Sequence, residues 1–199
     1  MDYQSIYQSW LNNPGLNEEG KAELMSVAAD AKAIEYRFGA ELEFGTAGMR
    51  GIIGYGTNMM NVYTVRRATQ GLAEYIKSLG EDAMKRGVVI SFDTRRKSDE
   101  FARAAAEVLA ANGVSVYLFD DVHPVPMLSY AVRRLKTIAG IMITASHNPK
   151  EYNGYKVYGE DGAQMSPEPT AEVVKYIRKN TDYFSVKEGT GKLVKKVPS

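Results

Sequence analysis

The chain has 199 residues, of which 44% are hydrophobic and 25% are charged, and its formal net charge is +1. This is the composition of an ordinary globular protein, and the balanced charge argues against a protein that coats nucleic acid or an anionic membrane. The sequence contains no cysteine, which excludes disulfide bonds and thiolate chemistry and favours a cytoplasmic location.

The beginning of the chain predicts a helical arm over residues 1–40. Apolar side chains recur at the spacing of one helix face over residues 3–10, and Asn13-Pro14-Gly15 ends this helix. Asn17 is then the predicted N-cap of a single second helix that continues to Phe38. We see no signal peptide at the start, and no apolar run approaches the roughly 20 residues of a membrane span. We expect the arm to serve packing.

A glycine-rich stretch follows the arm. Residues 45–56 hold five glycines, and glycine is common where the backbone adopts a positive φ angle or a ligand approaches closely. Gly45-Thr-Ala-Gly-Met-Arg-Gly51 permits two interpretations: a turn before a short strand, or a loop whose N–H groups and Arg50 guanidinium bind an anion. It lacks the Gly-Lys-Ser/Thr of a Walker A loop. Asn61 then predicts the N-cap of a long helix that Gly80 ends.

The middle of the chain alternates between near-continuous apolar strands and amphipathic helices. The predicted strands are residues 88–92, 114–119 and 138–143. Ser98 is the predicted N-cap of the first helix between them, and the second begins at Pro124. Buried strands separated by helices are typical of parallel sheets with right-handed crossovers. The sequence therefore predicts an α/β fold with three layers, α/β/α, around a mixed, mostly parallel sheet.

The last part of the chain carries weaker signals. Val157-Tyr158 predicts a short strand paired with its neighbour, and Ser166 marks the start of a last helix. After about residue 180 the chain becomes polar and basic, and no closing element is predicted. We therefore place the α/β/α domain at residues 41–180 and expect residues 181–199 to be a linker or the artificial end of a fragment.

Polar clusters follow the three predicted strands. They are Asp93-Thr-Arg-Arg96, Asp120-Asp121 and Thr144-Ala-Ser-His147. The carboxyl ends of parallel strands meet at one edge of the sheet, and ligands bind beyond that edge in such folds. We therefore expect the functional site there.

Ser146 is the candidate reacting group of the last cluster. Neighbouring side chains of an extended backbone point to opposite faces, so His147 is badly placed as the base of a hydrolytic serine, and no Gly-x-Ser-x-Gly elbow is present. A phosphoserine needs cations, N–H groups and often a metal, and some of these groups are supplied locally by His147, Asn148, Lys150 and Lys156. On residue spacing alone, a phosphoryl-carrying serine and a structural Ser/Asn-Pro turn remain open alternatives.

Other polar residues near the strand ends receive structural interpretations. Asp93 and Arg95 are expected to form a local ion pair that shapes the end of their strand. His123 precedes Pro124 at a strand–helix junction, where a structural role is expected. Because the chain has only two histidines and no cysteine, we do not expect a zinc site.

Four motifs occur in an order that is similar to the first domain of the α-D-phosphohexomutases, the family of phosphoglucomutases and phosphomannomutases. They are Gly45-Thr-Ala-Gly-Met-Arg-Gly51, Asp93-Thr-Arg95 followed by Ser98, Thr144-Ala-Ser-His-Asn-Pro149, and Asn153-Gly-Tyr-Lys156. The third motif is highly specific, and the other three are supportive. The resemblance covers residues from about 35 to 180 and is closest to the phosphoglucomutase/phosphopentomutase branch.

This resemblance implies a mechanism. Ser146 would be phosphorylated and would pass its phosphoryl group to the free hydroxyl of a sugar monophosphate. The resulting bisphosphate would turn round and return its other phosphate, so that a 1-phosphate becomes a 6-phosphate. The resemblance also implies that Lys156 is a general acid/base, Arg50 an active-site arginine and His147 a positioning residue. The candidate residues for binding substrate or phosphate are Thr46, Gly48 and Asn148.

The family uses four domains, and its second domain supplies an Asp-Gly-Asp-Gly-Asp loop that holds Mg²⁺ against the phosphoserine. This chain has no such loop, so Ser146 would contact the metal only through its phosphate. We expect this chain to be the first domain of a phosphoglucomutase that works through glucose 1,6-bisphosphate. The isolated domain is expected to be inactive. A phosphomannomutase, a phosphopentomutase and a non-catalytic sugar-phosphate-binding module are alternatives. The expected partners are a sugar phosphate and the missing domains, without nucleic acid or membrane.

Overall fold

A computed structural model describes residues 2–46, 48–189 and 192–197. These residues contain eight α-helices: α1 (Tyr3–Leu11), α2 (Glu18–Ser26), α3 (Ala31–Phe38), α4 (Val62–Ser78), α5 (Glu81–Arg86), α6 (Ser98–Ala111), α7 (Val125–Leu135) and α8 (Pro167–Lys179). They also contain six β-strands: β1 (Gly48–Ile52), β2 (Val88–Phe92), β3 (Val116–Phe119), β4 (Ala139–Ile143), β5 (Tyr152–Gly159) and β6 (Val194–Val197). No helix in these ranges is long and apolar enough to cross a membrane.

The six strands form one mixed sheet in the order β1-β5-β4-β2-β3-β6. Strand β2 is parallel to β4 and β3, and β3 is parallel to β6. Strand β5 runs antiparallel to β4 and β1 on either side of it. The register sets Phe92 opposite Ile143, so the parallel strands β2 and β4 end side by side. The prediction of a mixed, mostly parallel sheet is confirmed.

The sheet separates two hydrophobic cores. Side chains alternate across a strand, so Val88 and Ile90 of β2 join the core of α4, α6 and α8, whereas Val89 packs with Leu128 and Val132 of α7 on the other face. Every residue of β2 and β4 is buried, as expected for strands that are covered on both faces. The predicted three-layer α/β/α architecture is therefore confirmed.

The N-terminal helical arm is present, but the prediction of one continuous second helix is wrong. Helix α2 begins at its N-cap Asn17 and ends at its C-cap Val27. Asp30 then caps α3, because its side chain accepts a hydrogen bond from the Ala33 backbone N–H. The apolar spacing continues across this break, which is why periodicity alone missed it.

An aromatic cluster joins the arm to the rest of the fold. The Trp10 ring lies 5.7 Å from the rings of Phe38 and Tyr63, centroid to centroid, and about as close to Tyr183 and Phe184. Edge-on aromatic pairs of this kind add stabilisation beyond the burial of their area. Side chains from the segments that come before and after the α/β layers in the sequence are thus packed into one core.

Three elements differ from the sequence-based expectation. Helix α5 was not predicted, and β5 is longer than the expected pair Val157-Tyr158. Where no closing element was expected, β6 pairs with β3 and sets Val194 beside Val116. A four-residue strand with two exposed lysines carries little apolar pattern, so only its pairing reveals it. The interpretation of residues 181–199 as a linker stays a prediction.

Candidate functional site

The serine loop, residues 144–151, connects β4 to β5 at the carboxyl edge of the sheet. Ser146 is exposed at its tip, and its φ angle of 53° lies in the left-handed region, which is uncommon for a residue other than glycine. Its backbone N–H donates a 3.0 Å hydrogen bond to the Thr144 hydroxyl. The backbone therefore turns sharply at Ser146. The argument about His147 had assumed an extended backbone here, and that assumption is wrong.

Arg95 holds the serine loop by its backbone. Its guanidinium donates hydrogen bonds to the carbonyl oxygens of Ser146 (2.8 Å), Asn148 (2.6 Å), Pro149 (2.8 Å) and Tyr152 (3.0 Å). Charged donors in a planar fork make strong, directional hydrogen bonds. A single side chain thus fixes the loop that presents Ser146.

The predicted ion pair of Asp93 and Arg95 is present, with 3.6 Å between Asp93 Oδ2 and Arg95 Nε. The other carboxylate oxygen accepts hydrogen bonds from the Arg95 backbone N–H and the Ser98 hydroxyl. Ser98 is the first residue of α6, and Lys97 is its N-cap, so our prediction of Ser98 as the cap is wrong. The Ser98 hydroxyl also accepts a bond from Asn153 Nδ2, which joins this loop to β5.

Lys156 in β5 contacts the candidate reacting group directly. Its Nζ donates a 2.6 Å hydrogen bond to Ser146 Oγ. Partial burial and the positive charge of Arg50 lower the pKa of Lys156 from its usual value, while the charge of Asp93 opposes them. This lysine therefore releases a proton more readily than an exposed lysine does.

Strand β1 places Arg50 beside Lys156. Gly48 lies opposite Lys156 and Arg50 lies opposite Gly154, so Arg50 and Lys156 share one face of the sheet. The φ angle of Gly48 is 147°, and a Cβ at this position would lie only 2.0 Å from the Tyr155 carbonyl oxygen. Close strand pairing thus explains this glycine, and phosphate binding by Gly48 stays a prediction.

The remaining candidates lie near the site with fewer contacts. Thr46 is exposed shortly before β1, and His147 is exposed beside Ser146. Asn148 donates its backbone N–H to the Ala145 carbonyl, while its side-chain Oδ1 is buried without a partner in the described parts of the chain. The structure therefore brings Ser146 and Lys156 into contact, and the binding roles of Thr46, His147 and Asn148 stay predictions.

His123 has the local contacts expected of a structural residue. Its ring lies 4.5 Å from the Phe119 ring, and its Nδ1 is 2.8 Å from the Asp121 carbonyl oxygen. Its backbone N–H donates to the Phe92 carbonyl. These contacts shape the loop that follows β3.

The chemistry of the site does not by itself fit a bound divalent cation. Across residues 2–46, 48–189 and 192–197, no group of three or more histidine, cysteine or acidic side chains could hold a metal ion. The Ser146 hydroxyl contacts Lys156, Arg50 shares one face of the sheet with Lys156, and Asp93 is the single carboxylate whose charge acts on this lysine among the described residues. Such a cluster suits an anion, because phosphate oxygens accept charged hydrogen bonds.

Sequence comparison identifies the family of the chain. Residues 41–184 match the pattern described as phosphoglucomutase/phosphomannomutase, alpha/beta/alpha domain I. A phosphoglucomutase of Staphylococcus haemolyticus (strain JCSC1435) is 49% identical over 143 residues, which are 72% of this chain and 26% of that protein. A phosphopentomutase of Mus musculus is 46% identical over 162 residues, with 78% of this chain and 26% of that protein covered.

A solved structure agrees with this match. The crystal structure of a protein described as a phosphomannomutase from Thermus thermophilus superposes with a TM-score of 0.68 at 31% identity. The match covers 80% of this chain and 33% of that one. The chain thus spans about a quarter of the length of its curated relatives and a third of this solved structure.

Proposed function

Because this chain belongs to the phosphoglucomutase/phosphomannomutase family, as its alpha/beta/alpha domain I, we propose that Ser146 carries the phosphoryl group of a sugar-phosphate mutase. One observation supports this most directly: Lys156 Nζ lies 2.6 Å from the oxygen of an exposed serine whose backbone is held by Arg95. Phosphoryl transfer depends on positioning and charge stabilisation, and both are features of this arrangement.

In the proposed transfer, the bond between Ser146 Oγ and phosphorus breaks while the sugar hydroxyl oxygen bonds to phosphorus. One proton passes from the sugar hydroxyl to the serine oxygen. Lys156 relays it: its ammonium gives a proton to Oγ and recovers one from the hydroxyl. The return transfer reverses these directions, so the complete reaction consumes no proton and no co-reactant.

The surrounding charges support this proposal. A phosphoserine carries about −1.5 to −2 charges at pH 7, and Arg50 and Lys156 share the face on which that charge would lie. Thr46, Gly48 and Asn148 are the proposed phosphate- or substrate-binding residues, and His147 the proposed positioning residue.

Mg²⁺ is part of the proposal only through the phosphate on Ser146. When bound, the ion would draw charge from the transferring group. Its main ligands are not among the described side chains of this chain, so we assign none of the steps above to it.

The proposed substrate is glucose 1-phosphate, which would become glucose 6-phosphate through glucose 1,6-bisphosphate in the cytoplasm. The similar proteins are named phosphoglucomutase, phosphopentomutase and phosphomannomutase, so mannose and pentose phosphates are the competing substrates. We expect the chain alone to be inactive as a mutase. Rapid isomerisation of glucose 1-phosphate by the purified 199-residue protein would contradict this part.

A chimera tests the proposal. The matching 143 residues of the S. haemolyticus phosphoglucomutase are replaced by those of this chain, and the product is incubated with ³²P-labelled glucose 1,6-bisphosphate. We expect the protein to become labelled and the label to be absent in Ser146→Ala. Ser129→Ala is the control and should keep the label, because the Ser129 hydroxyl bonds to the Gly162 carbonyl at 2.7 Å. Gly162 follows the end of β5 that lies beside the start of β4, at the opposite edge of the sheet from the serine loop. A folded Ser146→Ala chimera that is labelled normally would overturn the proposal.

A second candidate is a non-catalytic module that binds sugar phosphates. It is favoured by the face of the sheet that carries Arg50 and Lys156, because the described residues contain no metal-binding group. Calorimetry of the purified chain with glucose 1-phosphate and glucose 1,6-bisphosphate separates the two. Saturable binding together with an unlabelled chimera would favour the module, and absence of binding would exclude it.

A further inference from the structure

Lys97 has an unusual backbone that the proposed function does not explain. Its φ angle is 65°, and it is the N-cap of α6 without any side-chain capping hydrogen bond. A left-handed conformation costs a residue other than glycine about 1–2 kcal/mol. The N-cap position also favours Ser, Thr, Asn, Asp or Gly, none of which is found here. Contacts outside this loop must therefore stabilise it.

The side chain of Lys97 supplies those contacts. Its Nζ lies 2.6 Å from Glu19 Oε2 in α2 and 2.9 Å from Glu100 Oε2 in α6. The hydrogen bond from Lys97 lowers the pKa of Glu19 from its usual value. The Tyr55 hydroxyl donates a further 3.2 Å bond to Glu19. The N-terminal arm is therefore attached, through Glu19, to the loop between β2 and α6.

The same loop holds the candidate reacting serine. Two residues before Lys97, Arg95 donates its hydrogen bonds to the backbone of the serine loop. Between them, the Arg96 carbonyl accepts a 3.0 Å bond from Asn153 Nδ2 of β5. A continuous set of contacts thus leads from α2 through residues 93–97 to the backbone of Ser146.

We propose that Glu19 and Lys97 are positioning residues for Ser146, through which the N-terminal arm orients the serine loop. This inference rests on the proposed function, because it takes Ser146 as the reacting group. Neither residue touches the serine, and both act through the conformation of the loop that carries Arg95.

A neighbouring ion pair provides the matched control. Glu18 also lies in α2 and pairs with Lys21 at 3.0 Å, but the Glu18 side chain is 90% exposed and the pair stays within its own helix. Glu18→Gln removes a negative charge from the same helix as Glu19→Gln does, but it does not affect contacts of residues 93–97. A general effect of an acidic residue in the arm is therefore separated from an effect on the loop.

The test uses the 199-residue chain and amide hydrogen exchange resolved to single residues. In Glu19→Gln and Lys97→Met we expect exchange of the Ser146, Asn148 and Tyr152 amides to rise about five- to tenfold, because a local ion pair no longer restrains the loop. Amides of β2 and β4 should keep the wild-type rate. Glu18→Gln should change neither set. Lys97→Arg should restore most of the protection, and Lys97→Gly should not, although glycine tolerates the left-handed backbone.

Two results would overturn the positioning role. One is unchanged exchange in the serine loop of both Glu19→Gln and Lys97→Met. The other is an equal rise in β2 and β4, which would mean that the pair only stabilises the whole fold. Because the readout needs no phosphoryl transfer, its failure is distinct from an unlabelled chimera, which would contradict the proposed function instead.

Discussion

The serine loop and the loop after β3 leave the same edge of the sheet, but they are held in different ways. The loop after β3 is held by backbone bonds, from Asp120 to Val197 and from His123 to Phe92, and by the His123 ring against its near neighbours Phe119 and Asp121. The serine loop is instead held by Arg95, which is more than 50 residues away in sequence. The order of the strands places both loops at the same edge of the sheet. Side-chain contacts from other elements then hold the exposed Ser146 hydroxyl of the serine loop in a fixed position.

The largest loss of stability is expected when β1, the strand that pairs with the strand of Lys156, is disturbed. Gly48→Ala would set a Cβ 2.0 Å from the Tyr155 carbonyl oxygen at a φ angle of 147°, and should lower the free energy of unfolding by about 3 kcal/mol or more. Chemical denaturation measures this change. Gly45→Ala is the control, because its nearest contact would be an ordinary 3.7 Å and it should cost less than about 0.5 kcal/mol. Equal losses in the two variants would disprove our explanation of Gly48.

The second-largest loss of stability is expected when the Arg95 side chain, which supports the serine loop, is removed. Arg95→Met leaves four carbonyl oxygens without their charged donor, and we expect a loss of about 2 kcal/mol in unfolding free energy, moderated because the loop is partly exposed to water. His123→Ala, in the loop after β3, should cost about 1 kcal/mol or less. If His123→Ala were the more damaging change, the contrast between the two loops would be wrong.

A smaller effect is expected from the turn at Ser146 itself. Thr144→Val keeps the shape of the side chain but removes the hydroxyl that accepts the Ser146 N–H, and should cost about 1 kcal/mol. Thr46→Val, an exposed threonine before β1, should change stability by less than about 0.5 kcal/mol. A crystal structure of Thr144→Val with an unchanged left-handed Ser146 and unchanged stability would show that this bond is dispensable.

The smallest effect concerns the charge on Lys156. Arg50→Gln removes a nearby positive charge, so the pKa of Lys156 should rise toward its usual value, as measured by NMR titration of its side chain. The pKa of Lys156 is lower in the folded than in the unfolded state, so the unfolded state binds more protons between the two pKa values. Unfolding free energy therefore rises with pH in that window, and Arg50→Gln should reduce the rise. A fall in the pKa would contradict the influence assigned to Arg50.

The sequence predicted the layers of the fold well, because burial leaves a direct pattern. Residues such as Val88 and Ile141 lie in apolar runs that a sheet covered on both faces requires, and Asn61 and Pro124 mark helix starts that the structure contains. Ser146 and Lys156 were also candidates, and the structure places them in contact. Their chemical roles stay proposals.

What the sequence did not predict depends on contacts between distant residues. The hydrogen bonds of Arg95 to the serine loop and the bond from Lys97 to Glu19 join residues more than 50 positions apart. The left-handed backbone of Ser146 also has no local signal, since serine rarely adopts it. Strand β6 was missed for a similar reason, as its pairing with β3 outweighs a weak local pattern.

The single tryptophan gives this protein a built-in optical probe. Trp10 is only 3% exposed and lies within 6 Å of four other aromatic rings, which come from α3, α4 and the segment after α8. Its emission should therefore shift to longer wavelength when the arm leaves the body of the protein, since an indole in water emits further to the red. No label is needed, so detachment of the arm can be followed in the same sample in which the serine loop is studied.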